Sequence, residues 1–171
     1  LLWVLDSTRT SMGKRLLKSY IEQPLLSPAR IIERLDAVEV LCRYSVVLME
    51  TSEILDRVYD LERLMTRVMY KTATPRDLKS LSATSIQLPL LKQQLAQLEK
   101  SKLLAKYNSE ISTLDEIARL VENAIIDEPP VSVKDGGVIK DGFNENLDNL
   151  RHVMTHGKEI IEEIAQRERE A

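Results

Sequence analysis

The chain has 171 residues, 43% of them hydrophobic and 30% charged, but only 4% aromatic and five glycines. Its length supports a core-bearing domain plus an appendage without disulfides or metal, and its leucine-rich, glycine-poor make-up favours helices over a sandwich or barrel. A formal net charge of −3 gives no global attraction to nucleic acid, and the sequence shows neither a long uncharged apolar run nor a signal peptide at "LLWVLDSTRT".

In chain order, Asp6 or Ser7 is the expected cap of a first helix, with Met12, Leu16, Leu17, Tyr20 and Ile21 at helical spacing until Pro24. Ser27 then caps a second helix with Pro28 at its first position, followed by Ile31, Leu35, Val38 and Leu41 on one stripe. The lone Cys42, inside "VEVLCRYSVV", reads as a small core hydrophobe with no internal disulfide partner. From Ser45 to Lys71 the pattern predicts two helices broken near Thr51 or Ser52, carrying Leu55, Val58, Leu61, Leu64, Met65, Val68 and Met69.

"TPRD" supplies an N-cap hydroxyl at Thr74, Pro75 at the first helical position and Asp77 at the third. Pro89 is expected to kink or interrupt the helix that follows, and Asn108 or Ser109 to open another that runs through Ile125. Next comes "DEPPVSVKDGGVIKDGFNENLDNLR", which holds three of the five glycines. Pro129 and Pro130 stop the incoming helix, Asp135-Gly136-Gly137 suits a turn, and Val131, Val133, Val138 and Ile139 suit two short paired strands. Asn144 then caps a helix with Leu147, Leu150, Met154, Gly157, Ile161 and Ile164 spaced alternately three and four apart, a coiled-coil seam without a partner in this sequence. The expected organisation is an all-α core over 1–126, a Pro/Gly-rich connector with a small hairpin over 127–143, and a long helix over 144–171. The missing initiator Met and the ending "REREA" within a helical pattern imply a segment of a longer chain.

Candidate chemistry is sparse. A phosphate cradle in the glycine stretch would need a preceding strand and a G-x-G-x-x-G or G-x-x-x-x-G-K-[ST] spacing, and "GGVIKDGFNENL" has neither, so a connector explains it better. Asp148, His152 and His156 share a helical face, yet Val153 follows the first histidine and the chain holds no third, which favours a solvated face over zinc. Arg63, Arg67 and Lys71, with Arg76 and Lys79 nearby, and the group Lys14, Arg15 and Lys18 suit phosphates. Interleaved Asp56, Asp60, Glu62 and Asp77 favour ion-paired faces instead. Glu162 and Glu163 have no nucleophile or histidine arranged around them. No catalytic, cofactor-binding or metal-binding residue is therefore assigned.

"LLWVLDSTRTSMGKRLLKSYIEQPL", "IIERLDAVEVL", "DLERLMTRV", "TPRDLKSL", "DGGVIKDGFNENLDNLR" and "QRERE" occur in this order and span nearly the whole chain. Together they resemble the core, or lever, domain of the MutS family of DNA mismatch-repair ATPases. The resemblance implies a multihelical, non-catalytic domain whose long helix leads toward a DNA-gripping clamp, coupling it to the ATPase domain. It further implies a cytoplasmic parent, a homodimer on mismatched double-stranded DNA that uses ATP and magnesium, with no membrane partner. The competing expectation is a helical interaction module that binds a partner helix through the seam.

Overall fold

The computed structural model describes the backbone of residues 1–170; within the last helix, the side chains at 158–160, 163–164, 168 and 170 lie outside the described set. The elements are α1 (Leu2–Leu5), α2 (Ser11–Glu22), α3 (Pro28–Arg43), α4 (Ser45–Leu55), α5 (Leu61–Met69), α6 (Pro75–Ala96), α7 (Lys102–Glu110) and α8 (Asp115–Ala124), followed by a 3-10 turn (Val133–Asp135) and α9 (Glu145–Glu170). The fold is all-α. Among the described residues no helix is long and apolar enough to cross a membrane.

The 22-residue α6 is the hub, packing against α4, α5, α7 and α8, while α3 packs against α4 and α7. Its start is the strongest local signal in the chain. Thr74 Oγ1 accepts from the Asp77 amide (3.2 Å) while the Asp77 carboxylate accepts from the Thr74 amide (2.9 Å), so each residue satisfies an otherwise unpaired donor of the other. The helix continues through Pro89, so of the expected kink or interruption the interruption does not occur. Proline removes one i→i−4 bond, but packing of the buried Leu81, Leu88 and Leu95 holds the helix on both sides of it. Ser82, Thr84 and Ser85 are almost fully buried on α6; being small, they let neighbouring helices approach closely. Their hydroxyls are satisfied by Glu122, the Ser80 carbonyl and the Leu81 carbonyl.

One core cluster joins Ala37 of α3, Val47 of α4, Leu95 and Leu98 around the end of α6, and Leu104 of α7, with Val40, Leu41 and Tyr44 packed against it. A second joins Val121, Ala124 and Ile125 to Leu78 and Val138. The apolar stripe expected on α3 is divided: Leu41 packs against this core, whereas its other members face away from it. Ile31, Leu35 and Val38 are exposed, and Cys42 is exposed rather than a core residue. The helix has two apolar faces, and the one with the small Ala37 fits the close packing against α4 and α7.

Several boundaries also differ from expectation. α2 begins at Ser11 with Thr10 as its cap, accepting from the Gly13 amide (2.9 Å), because Asp6 instead accepts from the Thr8 amide and hydroxyl and pairs with Lys14. Those contacts lower the Asp6 pKa to about 2, the Lys14 hydrogen bond being the largest cause. Ser27 and Pro28 open α3 as expected, although the Ser27 hydroxyl makes no capping bond. The break between α4 and α5 falls after Leu55, with Asp60 capping α5, rather than at Thr51 or Ser52.

Where one helix from Asn108 or Ser109 through Ile125 was expected, the chain forms two, α7 and α8. Ser101 caps α7, which already includes Asn108 and Ser109, and α8 starts after Leu114 in a left-handed conformation (φ 54°). Lys92 of α6 donates to the carbonyls of Asn108 and Ile111 (2.8 Å each), placing a cation at the end of α7 where unpaired carbonyls collect.

Candidate functional site at the root of the terminal helix

The glycine-rich stretch between α8 and α9 is a joint built from three sets of polar ties. The first fixes it to the body. Ile125 and Ile139 form an antiparallel bridge, with the Ile126 amide donating to the Val138 carbonyl (3.0 Å) and the Lys140 amide to the Ala124 carbonyl (2.8 Å). The bridge replaces the expected hairpin. Val131 is exposed and Val133 begins the 3-10 turn, so the chain end leaving α8, not the 131–133 segment, pairs with 138–140. Ile125 is buried beneath it, which supplies the apolar burial that a free-standing two-strand hairpin would lack.

The second set is ionic. Lys79 of α6 contacts Glu122 of α8 (2.8 Å) and Asp127 (3.5 Å), Lys140 contacts Asp127 (3.3 Å), and Arg76 donates to the Pro129 carbonyl (3.0 Å). Hydrogen bonds from Lys79 and Ser82 hold the Glu122 carboxyl below its usual range, and Lys140 does the same for Asp127. Burial works against the Lys79 ammonium, yet its hydrogen bonds to Glu122 and Asp127 leave its pKa raised. The lysine is charged and shared between the two carboxylates.

The third set fixes α9 to the joint. The Asn144 side chain accepts from the Leu147 amide (3.0 Å), the expected cap. Asp148 in the first turn accepts from the Gly142 amide (2.9 Å). Arg151 donates to Asp141 (2.6 Å) and to the Ile139 carbonyl (3.0 Å), so one guanidinium holds both the bridge strand and the turn. Gly136, Gly137 and Gly142 all have positive φ, at 73°, 64° and 82°. At these angles any β-carbon strains the backbone, although space around each glycine is open. The glycines therefore serve conformation, not close packing.

Asp141 and Arg151 carried no signal in the sequence, because a contact ten residues apart across a turn has no helical or strand period. Asp148 was legible only as a neighbour of His152 and His156. Its Oδ2 turns to Gly142, while the two imidazoles stand 4.5 Å apart on exposed or half-exposed positions. Among the described residues no group of three or more metal-type ligands converges. The Gly142 amide is occupied by the Asp148 carboxylate.

The basic groups are largely engaged within the chain. Arg15 grips Asp60 with both terminal nitrogens (2.7 and 2.9 Å) and also pairs with Glu62, joining α2 to the start of α5. Lys14 pairs with Asp6, Lys18 with Glu22, Arg63 with Asp60 and Arg67 with Asp77. Lys71 lies beyond α5 at positive φ (57°), off the ladder expected for Arg63 and Arg67. Glu162 is exposed, whereas the Glu163 side chain and that of the seam residue Ile164 lie outside the described residues.

The family profile described as MutS domain III matches residues 1–171. The DNA mismatch repair protein MutS of Acetivibrio thermocellus is 45% identical over 170 residues, covering 99% of this chain and 19% of the relative. Those of Lachnoclostridium phytofermentans and Halothermothrix orenii are 42% and 45% identical over 170 residues, with 99% of this chain covered in each case and 18% and 19% of the relatives. The chain thus spans about a fifth of the length of these relatives. Coverage of the whole chain by one profile and identities above two-fifths place it without ambiguity: the chain belongs to the MutS domain III family.

Proposed function

We propose that this domain is the mechanical link of a DNA mismatch-repair ATPase, carrying motion along α9 between a DNA-gripping clamp and the ATPase domain. The supporting observation is the joint, in which Arg151 and Asp148 tie the first turns of a 26-residue helix to a glycine turn that is itself bonded to α8. A rotation of the body therefore reorients the helix root, because the two share polar contacts instead of a free linker. In this reading the domain contributes no catalytic, cofactor or metal-binding residue. ATP, magnesium, mismatched duplex DNA and homodimer formation belong to the whole cytoplasmic protein.

Gly142→Val in the full-length protein tests this. The position has φ 82° and open space around it, so the change acts through backbone strain of about 1 kcal/mol or more. Expected is a loss of mismatch-stimulated ATP turnover with nucleotide affinity unchanged. Turnover that still responds normally to a mismatch, in a variant whose stability has measurably fallen, would refute the link.

A further inference from the structure

The connector contains one short sequence twice: Val133-Lys134-Asp135-Gly136 is followed by Ile139-Lys140-Asp141-Gly142. An aspartate before glycine is open to attack by its own backbone, because glycine has no β-carbon to hinder the amide nitrogen. That nitrogen bonds to Cγ of the neutral aspartyl carboxyl, the carboxyl hydroxyl and the amide proton leave as water, and a cyclic succinimide forms. Hydrolysis of the ring at its α-carbonyl takes the water back and leaves the chain linked through the β-carboxyl, with a free α-carboxylate. No other reactant is needed. The shared Lys-Asp-Gly gives both steps closely similar reactivity in an unfolded chain, so a difference between them in the folded chain is structural.

At Asp141-Gly142 both reacting groups are engaged elsewhere. Arg151 donates to the Asp141 carboxylate (2.6 Å) and is itself fixed by the Ile139 carbonyl (3.0 Å), while the Gly142 amide donates to the Asp148 carboxylate (2.9 Å). At Asp135-Gly136 they are not. Asp135 and Gly136 are exposed, the Asp135 carboxylate has no hydrogen-bond or ion-pair partner among the described residues, and the Gly136 amide makes only the 3-10 bond to the Val133 carbonyl (3.2 Å).

We propose that Asp135-Gly136 is a site of spontaneous aspartyl isomerisation, and that Arg151 and Asp148 shield the matching Asp141-Gly142 step from the same reaction. The β-linkage adds one carbon to the main chain. At Asp135 the addition falls in the exposed 3-10 turn, outside the Ile125 and Ile139 bridge, and the joint survives it. At Asp141 it would fall between the Arg151 bond to Ile139 and the Asn144 cap, where it would disrupt the root of α9.

The native full-length protein, held in heavy-oxygen water at mildly acidic pH and then digested, reports each step by mass spectrometry. Every ring opening adds one solvent oxygen, and electron-transfer fragmentation separates β-linked from α-linked aspartate. Labelling is expected to be at least about tenfold faster at Asp135 than at Asp141, and equal at the two in guanidinium. No label at Asp135, or equal native rates, would overturn the proposal; unequal rates in guanidinium would place the difference in the sequence and overturn it too. Arg151→Gln and Asp148→Ala are each expected to speed labelling at Asp141 while Asp135, as the internal clock, keeps its rate. A parallel rise at both sites would assign the protection to general stability, and no rise in either variant would show that the ties do not shield; both results contradict the assignment. These readouts need neither DNA nor nucleotide and are independent of the mechanical link.

Discussion

The Asp60 carboxylate serves three partners at once: it caps α5 through the Arg63 amide, accepts from the Ser11 hydroxyl (2.8 Å) and receives both terminal nitrogens of Arg15. Arg15 is the largest cause holding its pKa well below the usual carboxylate range. A depressed folded-state pKa means stability that is fully present above the unfolded value, about 3.9, and is lost as pH falls below it. Asp60→Asn is therefore expected to lower stability at pH 7 and to flatten the acid limb of urea-unfolding midpoints against pH; an unchanged limb would contradict the assignment. At Lys92, Lys92→Met removes both donors to the end of α7 and is expected to cost about 1–3 kcal/mol in chemical denaturation. The Thr74 box was legible in the sequence because donor and acceptor lie three residues apart. Asp60 and Lys92 were not, because their partners lie 45 and 19 residues away, as between Asp60 and Arg15 and between Lys92 and Ile111.

Among the elements, α6 is the one whose tertiary role overrides its local sequence. Pro89 is exposed, so Pro89→Ala removes no core contact and returns an amide to the helix ladder. The variant is expected to be more stable by about 1–3 kcal/mol, read from thermal or urea unfolding; destabilisation would mean that the proline sets a bend the packing requires. The α3 helix teaches a different lesson about reading faces. Its span and its start at Pro28 were legible from local chemistry, but periodicity marks apolar faces without saying which one meets the core. With two such faces, packing took the one centred on Ala37 and left Ile31, Leu35 and Val38 exposed. The split of residues 101–125 was hidden for a related reason. Leu114, an ordinary leucine by its letter, adopts the left-handed conformation that separates α7 from α8, which only surrounding contacts can impose.

On the scale of the whole molecule, basic side chains are scattered, and Lys14, Arg15, Lys18, Arg63, Arg67 and Lys79 are each committed to a carboxylate of the same chain. DNA binding by this chain alone is thus expected to be weak, equal for matched and mismatched duplexes, and steeply reduced by salt in fluorescence anisotropy; salt-resistant preference for a mismatch would contradict it. The joint was legible in outline, since prolines, glycines and an asparagine cap announce a stop, a turn and a restart. The ties that make it a firm root were not. Beyond that root, α9 departs from helical geometry at a single residue, His156 (φ −111°, ψ 18°), immediately before Gly157. At about 1.5 Å per residue the stretch from Glu145 to Thr155, before that departure, is about 16 Å long, so a tilt of about 10° at its base moves its end by about 3 Å. A rod with one bent turn bends further there when pushed and straightens when pulled. If α9 is the mechanical link, work would pass along it as tension: a pull on its far end would be carried to the Arg151 anchor, whereas compression would be taken up by bending at His156.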